Sequence, residues 1–162
     1  MDDKHSIYHE QVTSKWTEAL FLALTLLFTL LFLFRLNTQG IDPPVVVLFC
    51  FSALFLFYSI NFTTLIIRIS QTSLILTFGI FTWTIPRDNI QDCQPDDNLP
   101  LLMKYGGAGI HFMLIHGRYR ASFNFLEHPR VVIRLKKQTG PVRDISFSTR
   151  QPDELIRILQ VL

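Results

Sequence analysis

TEALFLALTLLFTLLFLFRL, residues 17–36, decides the fold. Its only charges, Glu18 and Arg35, lie near its two ends. At about 1.5 Å rise per residue the stretch makes roughly 30 Å of helix, the thickness of bilayer hydrocarbon. A second run follows Asp42, Pro43 and Pro44 and reads VVVLFCFSALFLFYSINF over residues 45–62, with no carboxylate or amine. The paired prolines suit a helix start, because the first turn needs neither a free φ nor the missing N–H. Residues 37–42 are too few to form a domain between the runs. The reading is therefore an antiparallel hairpin of two transmembrane helices, over about 17–36 and 44–61, with both chain ends on one side.

The chain has 162 residues and is 49% hydrophobic and 17% charged, which excludes an intrinsically disordered protein. Cys50 lies in an apolar run and Cys93 in a polar one, so neither a disulfide framework nor a Cys-rich metal site is expected. A cleaved signal peptide fits poorly: a polar tail over residues 1–15, with Asp2, Asp3 and Glu10, precedes the first run, and no small-x-small site follows it. Lys4 and Lys15 before the hairpin and Arg68 and Arg87 after it outnumber Arg35 at its turn. This bias places both termini in the cytoplasm of a multi-pass protein of the cytoplasmic membrane. Trp16 and Tyr58 suit interfacial anchors, and Glu18 suits a solvated acid favoured by the helix dipole.

From residue 62 the apolar period becomes two and turn residues recur, the pattern of a small antiparallel β fold. Seven strands are expected, over 63–69, 74–78, 81–85, 110–115, 118–123, 130–136 and 143–147. Pro86, Arg87 and Asp88 interrupt the third before Ile90 to Cys93, and Asp96, Asp97, Asn98 and Pro100 open a long loop. Pro152 starts a helix over 152–161 whose Leu155, Ile158, Leu159 and Leu162 share one face. The expected class is a membrane α-hairpin plus a small α+β domain over 62–162, its sheet capped by that helix.

Four ordered segments carry a resemblance: Leu74-Ile75-Leu76-x-Phe78-Gly79-Ile80-Phe81-x-Trp83-x-Ile85-Pro86, Tyr105-Gly106-Gly107-x-Gly109-Ile110, Arg130-Val131-Val132-Ile133-Arg134-Leu135, and Ile145-Ser146-Phe147-Ser148-Thr149-x-x-Pro152-Asp153-Glu154-Leu155. Together they are similar to prokaryotic PH-like domain proteins, in which one or two membrane helices precede a pleckstrin-homology-like barrel. The resemblance implies a seven-stranded antiparallel PH-like partial barrel capped by the C-terminal helix, and a membrane location. It implies no reaction.

Sites of chemistry are sparse. Residues 105–109 (YGGAG) lack the Gly-Lys-Ser/Thr and following helix of a phosphate-binding loop, and read as a turn. His5 and His9 are spaced for a metal on a helix, but no further ligands stand near them; His111, His116 and His128 read as surface residues. No Gly-x-Ser-x-Gly elbow occurs, Cys93 has no basic neighbour, and Asp92, Asp96 and Asp97 lack the spacing of a calcium loop. The expectation is no enzyme, no metal and no cofactor.

The most suggestive group is basic. Arg118 and Arg120 share one strand face, Arg134 and Lys136 another, and Lys137 and Arg143 extend the set, a candidate surface for anionic lipid or a partner. Each such charge near an anionic leaflet contributes about 1 kcal/mol. The competing reading is a solvated outer face partly neutralised by Glu127 and Asp144. Nucleic acid would need denser clustering, and no small-molecule substrate is evident. The function expected is a non-catalytic membrane-anchored module for protein–protein interaction or scaffolding, with a protein partner or a second copy. The alternatives are an accessory subunit of a membrane enzyme or transporter, with Thr25, Thr29, Cys50 and Ser52 as interhelical contacts, or anionic-lipid binding by the β domain.

Overall fold

A computed structural model describes residues 6–96, 109–115, 117–125 and 127–160. Ser14 marks the change from strand to helix. Its Oγ accepts from Thr17 N at 3.0 Å and caps α1 (Lys15–Gln39), whose first turn also holds Glu18, where an acid meets the positive end of the helix dipole. Asp42 does the same for α2 (Pro43–Asn61), accepting from Val45 N at 2.9 Å, and its carboxylate is clamped by Arg35 at 2.7 Å across the hairpin turn. Both helices are long and apolar enough to cross a membrane. They meet through Thr29 and Ser52, with oxygens 2.7 Å apart, through Thr25 and Ser59 at 3.3 Å, and through Phe28, which stacks on Phe51 and Phe55. Cys50 is exposed and takes no part in that seam. The outward residues, among them Leu30, Phe34, Val47 and Phe49, are exposed apolar side chains, as expected of helices whose solvent is lipid.

From Ser6 on, the polar tail of the sequence reading is structured. Ser6–Thr13 forms β1, with Tyr8 and Val12 buried. Glu10 occupies an inward position where period two calls for an apolar residue, and this masked the strand. Its carboxylate is fully used: Oε2 accepts from Tyr8 OH at 2.8 Å and Thr149 Oγ1 at 2.6 Å, and Oε1 from Arg150 N at 2.7 Å. Burial, followed by the hydrogen bond and charge of Glu10, pushes the Tyr8 phenol well above its ordinary pKa.

β1 pairs antiparallel with β2 (Thr64–Ser70), from Thr13 opposite Thr64 onward, so the two-helix hairpin is inserted at the turn of a β-ribbon. β3 (Ser73–Phe78) and β4 (Phe81–Pro86) complete a sheet of order β1-β2-β3-β4. A 3-10 turn, Arg87–Asn89, then leads to a second sheet of order β5-β8-β9-β7-β6. Its strands are β5 (Ile90–Pro95), β6 (Gly109–Ile115), β7 (Arg118–Asn124), β8 (Arg130–Thr139) and β9 (Val142–Ser148).

Among the described residues, nine strands in two sheets replace the expected seven-stranded antiparallel barrel. Besides β1, the additional strand is β5, whose register shifts between Ile90 and Asp92. The irregularity turns both Ile90 and Cys93, three residues apart, toward the core and destroys the simple alternation. The pairing is also not wholly antiparallel, because β7 and β9 run parallel. Leu65, Ile67, Ile69, Leu74, Leu76 and Phe78 from one sheet meet Phe123, Ile133, Ile145 and Phe147 from the other. The C-terminal helix α3 (Pro152–Gln160) buries Leu155 and packs Ile156, Ile158 and Leu159 on this core. Arg87 Nη2 donates to Ile158 O at 2.8 Å and Gln160 Nε2 to Cys93 O at 3.1 Å, tying its last turn to both sheets. Leu162 lies outside the described residues.

The joint between hairpin and sheets is aromatic. Ring centroids follow one another from Phe21 to Tyr58 (5.2 Å), Phe62 (4.8 Å), Phe78 (5.1 Å) and Phe125 (5.2 Å), a continuous path from α1 into the β core. Beside it the β3–β4 turn abuts the end of α2. Gly79 has φ 59°, and a Cβ there would lie 2.1 Å from Asn61 O. Gly79→Ala therefore combines a left-handed backbone with a backbone clash and should cost more than about 1 kcal/mol. Thermal unfolding of the full chain in detergent should show a lower midpoint; an unchanged midpoint would mean the turn does not press on the helix.

Candidate functional site

The basic set separates into two groups. Arg120 is 9% exposed; its Nη1 lies 2.6 Å from Asp96 Oδ1, and Asp96 Oδ2 accepts from Ser146 Oγ at 2.7 Å. Asp144, also buried, lies 3.0 Å from Arg118 Nη2 and 4.0 Å from Arg120 Nη2. These two arginines are held by carboxylates inside the domain, and Arg120 is removed from any docking surface. Asp144 thus neutralises Arg118 from a buried position, while Glu127 lies beside His128. The role of Asp96, in a turn-rich stretch far from Arg120 in sequence, had no signal in the spacing.

Arg134, Lys136, Lys137 and Arg143 are exposed. Arg134 is flanked by acids, opposite Asp92 on β5 and Asp144 on β9. Lys136 and Gln71 line one cavity of about 480 Å³, and Lys136 and Lys137 line another with Asp88. Gln71 follows β2, which leaves α2 and runs for seven residues. At about 3.3 Å per residue this puts the exposed lysines roughly 20 Å along the strands from the helix end. β6 gives the same polarity: a Cβ at Gly109 would lie 3.3 Å from the Tyr58 ring, while Ile115 pairs with Arg118 at the other end. Thus the lysines and Arg118 gather at the end of the β domain away from the hairpin.

Beside α2 the near end is apolar. The first sheet ends in edge strand β4 and the second in edge strand β6. Between them lies a cavity of about 370 Å³, walled by Leu54, Phe57 and Tyr58 of α2, Phe81 and Trp83 of β4, and Ile110 and Phe112 of β6. Trp83 meets Phe123 edge-on, with centroids 6.0 Å apart. Phe81 and Phe112 are 47% and 64% exposed, and Ile80 and Leu114 extend the apolar surface. The sequence placed Ile110, Phe112 and Leu114 on one face. Their exposure could be read only once β6 proved to be an edge strand.

The remaining candidates are dispersed. His9 lies on strand β1 rather than on a helix, His111 is half-buried on β6, and His128 Nε2 is 2.8 Å from Thr13 O. His5, His116, Asp97 and residues 105–108 lie outside the described residues. Among the described residues no group of three or more His, Cys, Asp or Glu is placed to hold a metal ion. Burial, and secondarily the charge of Asp92, pushes the Cys93 thiol up to about 12. The thiolate is therefore scarce at pH 8, and a Cys50→Ser variant should resist maleimide labelling until denatured. Equal labelling of folded and denatured protein, followed by mass spectrometry, would contradict the buried placement of Cys93.

The chain matches no protein-family model, no curated protein and no solved structure, so the meaning of these surfaces must come from their arrangement.

Proposed function

We propose that this chain is a non-catalytic, membrane-anchored PH-like module. In this reading α1 and α2 cross the cytoplasmic membrane, both termini are cytoplasmic, and the β domain docks a protein partner at the membrane surface. The observation that carries the reading is the polarity of the β domain: an aromatic joint and apolar rim at the hairpin end, and exposed Lys136 and Lys137 about 20 Å away along the strands. The helix packed across two sheets supports the PH-like likeness.

This polarity favours a protein over anionic headgroups as the partner of the basic residues. Charges about 20 Å from the hairpin end are well beyond the screening length of about 8 Å at physiological salt. The accessory-subunit alternative loses its main sequence support, since Thr25, Thr29 and Ser52 are engaged within the hairpin. A partner suited to the far end carries an acidic face.

Membranes extracted with mild detergent should yield the full chain in a stoichiometric complex on native electrophoresis. Lys136→Glu with Lys137→Glu should weaken that complex about tenfold or more while leaving the protein resistant to carbonate extraction. A clean monomer, or a complex indifferent to both charge reversals, would refute the docking role. Digestion of the β domain by protease added outside whole cells would refute the topology.

A further inference from the structure

The cavity between β4 and β6 opens where the chain leaves α2. Three of its walls, Leu54, Phe57 and Tyr58, belong to a helix long and apolar enough to span a bilayer. Among the described residues its other walls continue this surface without a charged residue, and Thr82 is the one hydroxyl from the β domain on the lining. At about 370 Å³ it is within the size range of small-ligand sites, roughly 300–1,000 Å³. The rim is set by the fold: Gly79 presses the β3–β4 turn onto Asn61, which holds exposed Ile80 and Phe81 at the level of the helix end.

We infer that this cleft takes one acyl chain of a membrane phospholipid, which enters from the bilayer along α2 between Phe81 and Phe112 and reaches Trp83. The occupant follows from continuity. A chain already in hydrocarbon beside Leu54 and Phe57 moves into the cleft over an unbroken apolar wall, whereas a segment of a soluble partner would first have to leave water at the membrane surface. The uncharged lining formed by the described residues selects the hydrocarbon rather than the headgroup, which remains at the rim. Removal of exposed apolar surface from water drives the exchange. Bound in this way, a lipid would fix the orientation of the β domain relative to the membrane. The inference rests on the membrane-anchored reading, and the two can fail separately.

The chain has two tryptophans, so Trp16→Phe leaves Trp83 as the sole reporter. In vesicles of phosphatidylcholine brominated along the acyl chain, the Trp16→Phe protein should lose much of its fluorescence relative to unbrominated vesicles. Phe112 is 64% exposed, so adding Phe112→Glu puts a carboxylate on the cleft wall with little cost to folding. It should relieve the quenching and reduce co-purified phospholipid, read by native mass spectrometry, about tenfold. Equal quenching with and without Phe112→Glu would mean that Trp83 merely lies near the bilayer, and would overturn the inference, as would no quenching at all. A dimer, or a bound protein, that Phe112→Glu releases in place of lipid would overturn it in favour of that occupant. Release of the chain by carbonate would instead sink the membrane reading on which it rests.

Discussion

The structure depends on one antiparallel pairing, that of β1 with β2. Thr13 faces Thr64 on adjacent strands, Ser14 caps the outgoing helix, and Asn61 ends the returning one. Two helices that begin and end on neighbouring strands must run side by side, and the Thr–Ser contacts and stacked phenylalanines then find their partners at fixed heights. The hairpin is therefore an extension of the sheet rather than a separate tether, and the aromatic path from Phe21 to Phe125 fills the joint. Glu10 fastens the same ribbon to Thr149 and Arg150, just before the C-terminal helix, so the first and last elements close on each other.

The division of polarity follows from this arrangement. With one end of every strand in the first sheet fixed by its distance from the helices, exposed apolar residues such as Ile80, Phe81 and Phe112 fall near the hairpin and the exposed Lys136 and Lys137 fall far from it. Inside, Arg120 shows why counting charges along a strand misleads. A guanidinium on the outer face of β7 is covered and held by Asp96, so its charge is neutralised where alternation alone promised a free cation.

What could be read from the sequence was what depends on local pattern. The two helices are legible because their apolar residues run uninterrupted for about the thickness of a bilayer, and seven strands because their inward rows are apolar. The two strands that escaped each break alternation for a tertiary reason: Glu10 is inward because Thr149 and Arg150 solvate it, and the irregularity at Ile90 shifts the period. The parallel pairing of β7 with β9 and the cleft beside β6 arise from strand order, which no local period encodes. Phe112 and Leu114 look like core residues in the chain and become a surface because, among the described residues, β6 is the last strand of its sheet.

The ribbon also sets an order on biosynthesis. β1 leaves the ribosome first, yet the strand it must bond to emerges only after both helices have been made. Until the hairpin has gone out and returned, the first strand has no template and the Leu65 row lacks its neighbour. Synthesis of both helices must therefore precede closure of the sheet. Until then the first strand keeps an unsatisfied edge, open to pairing with another chain.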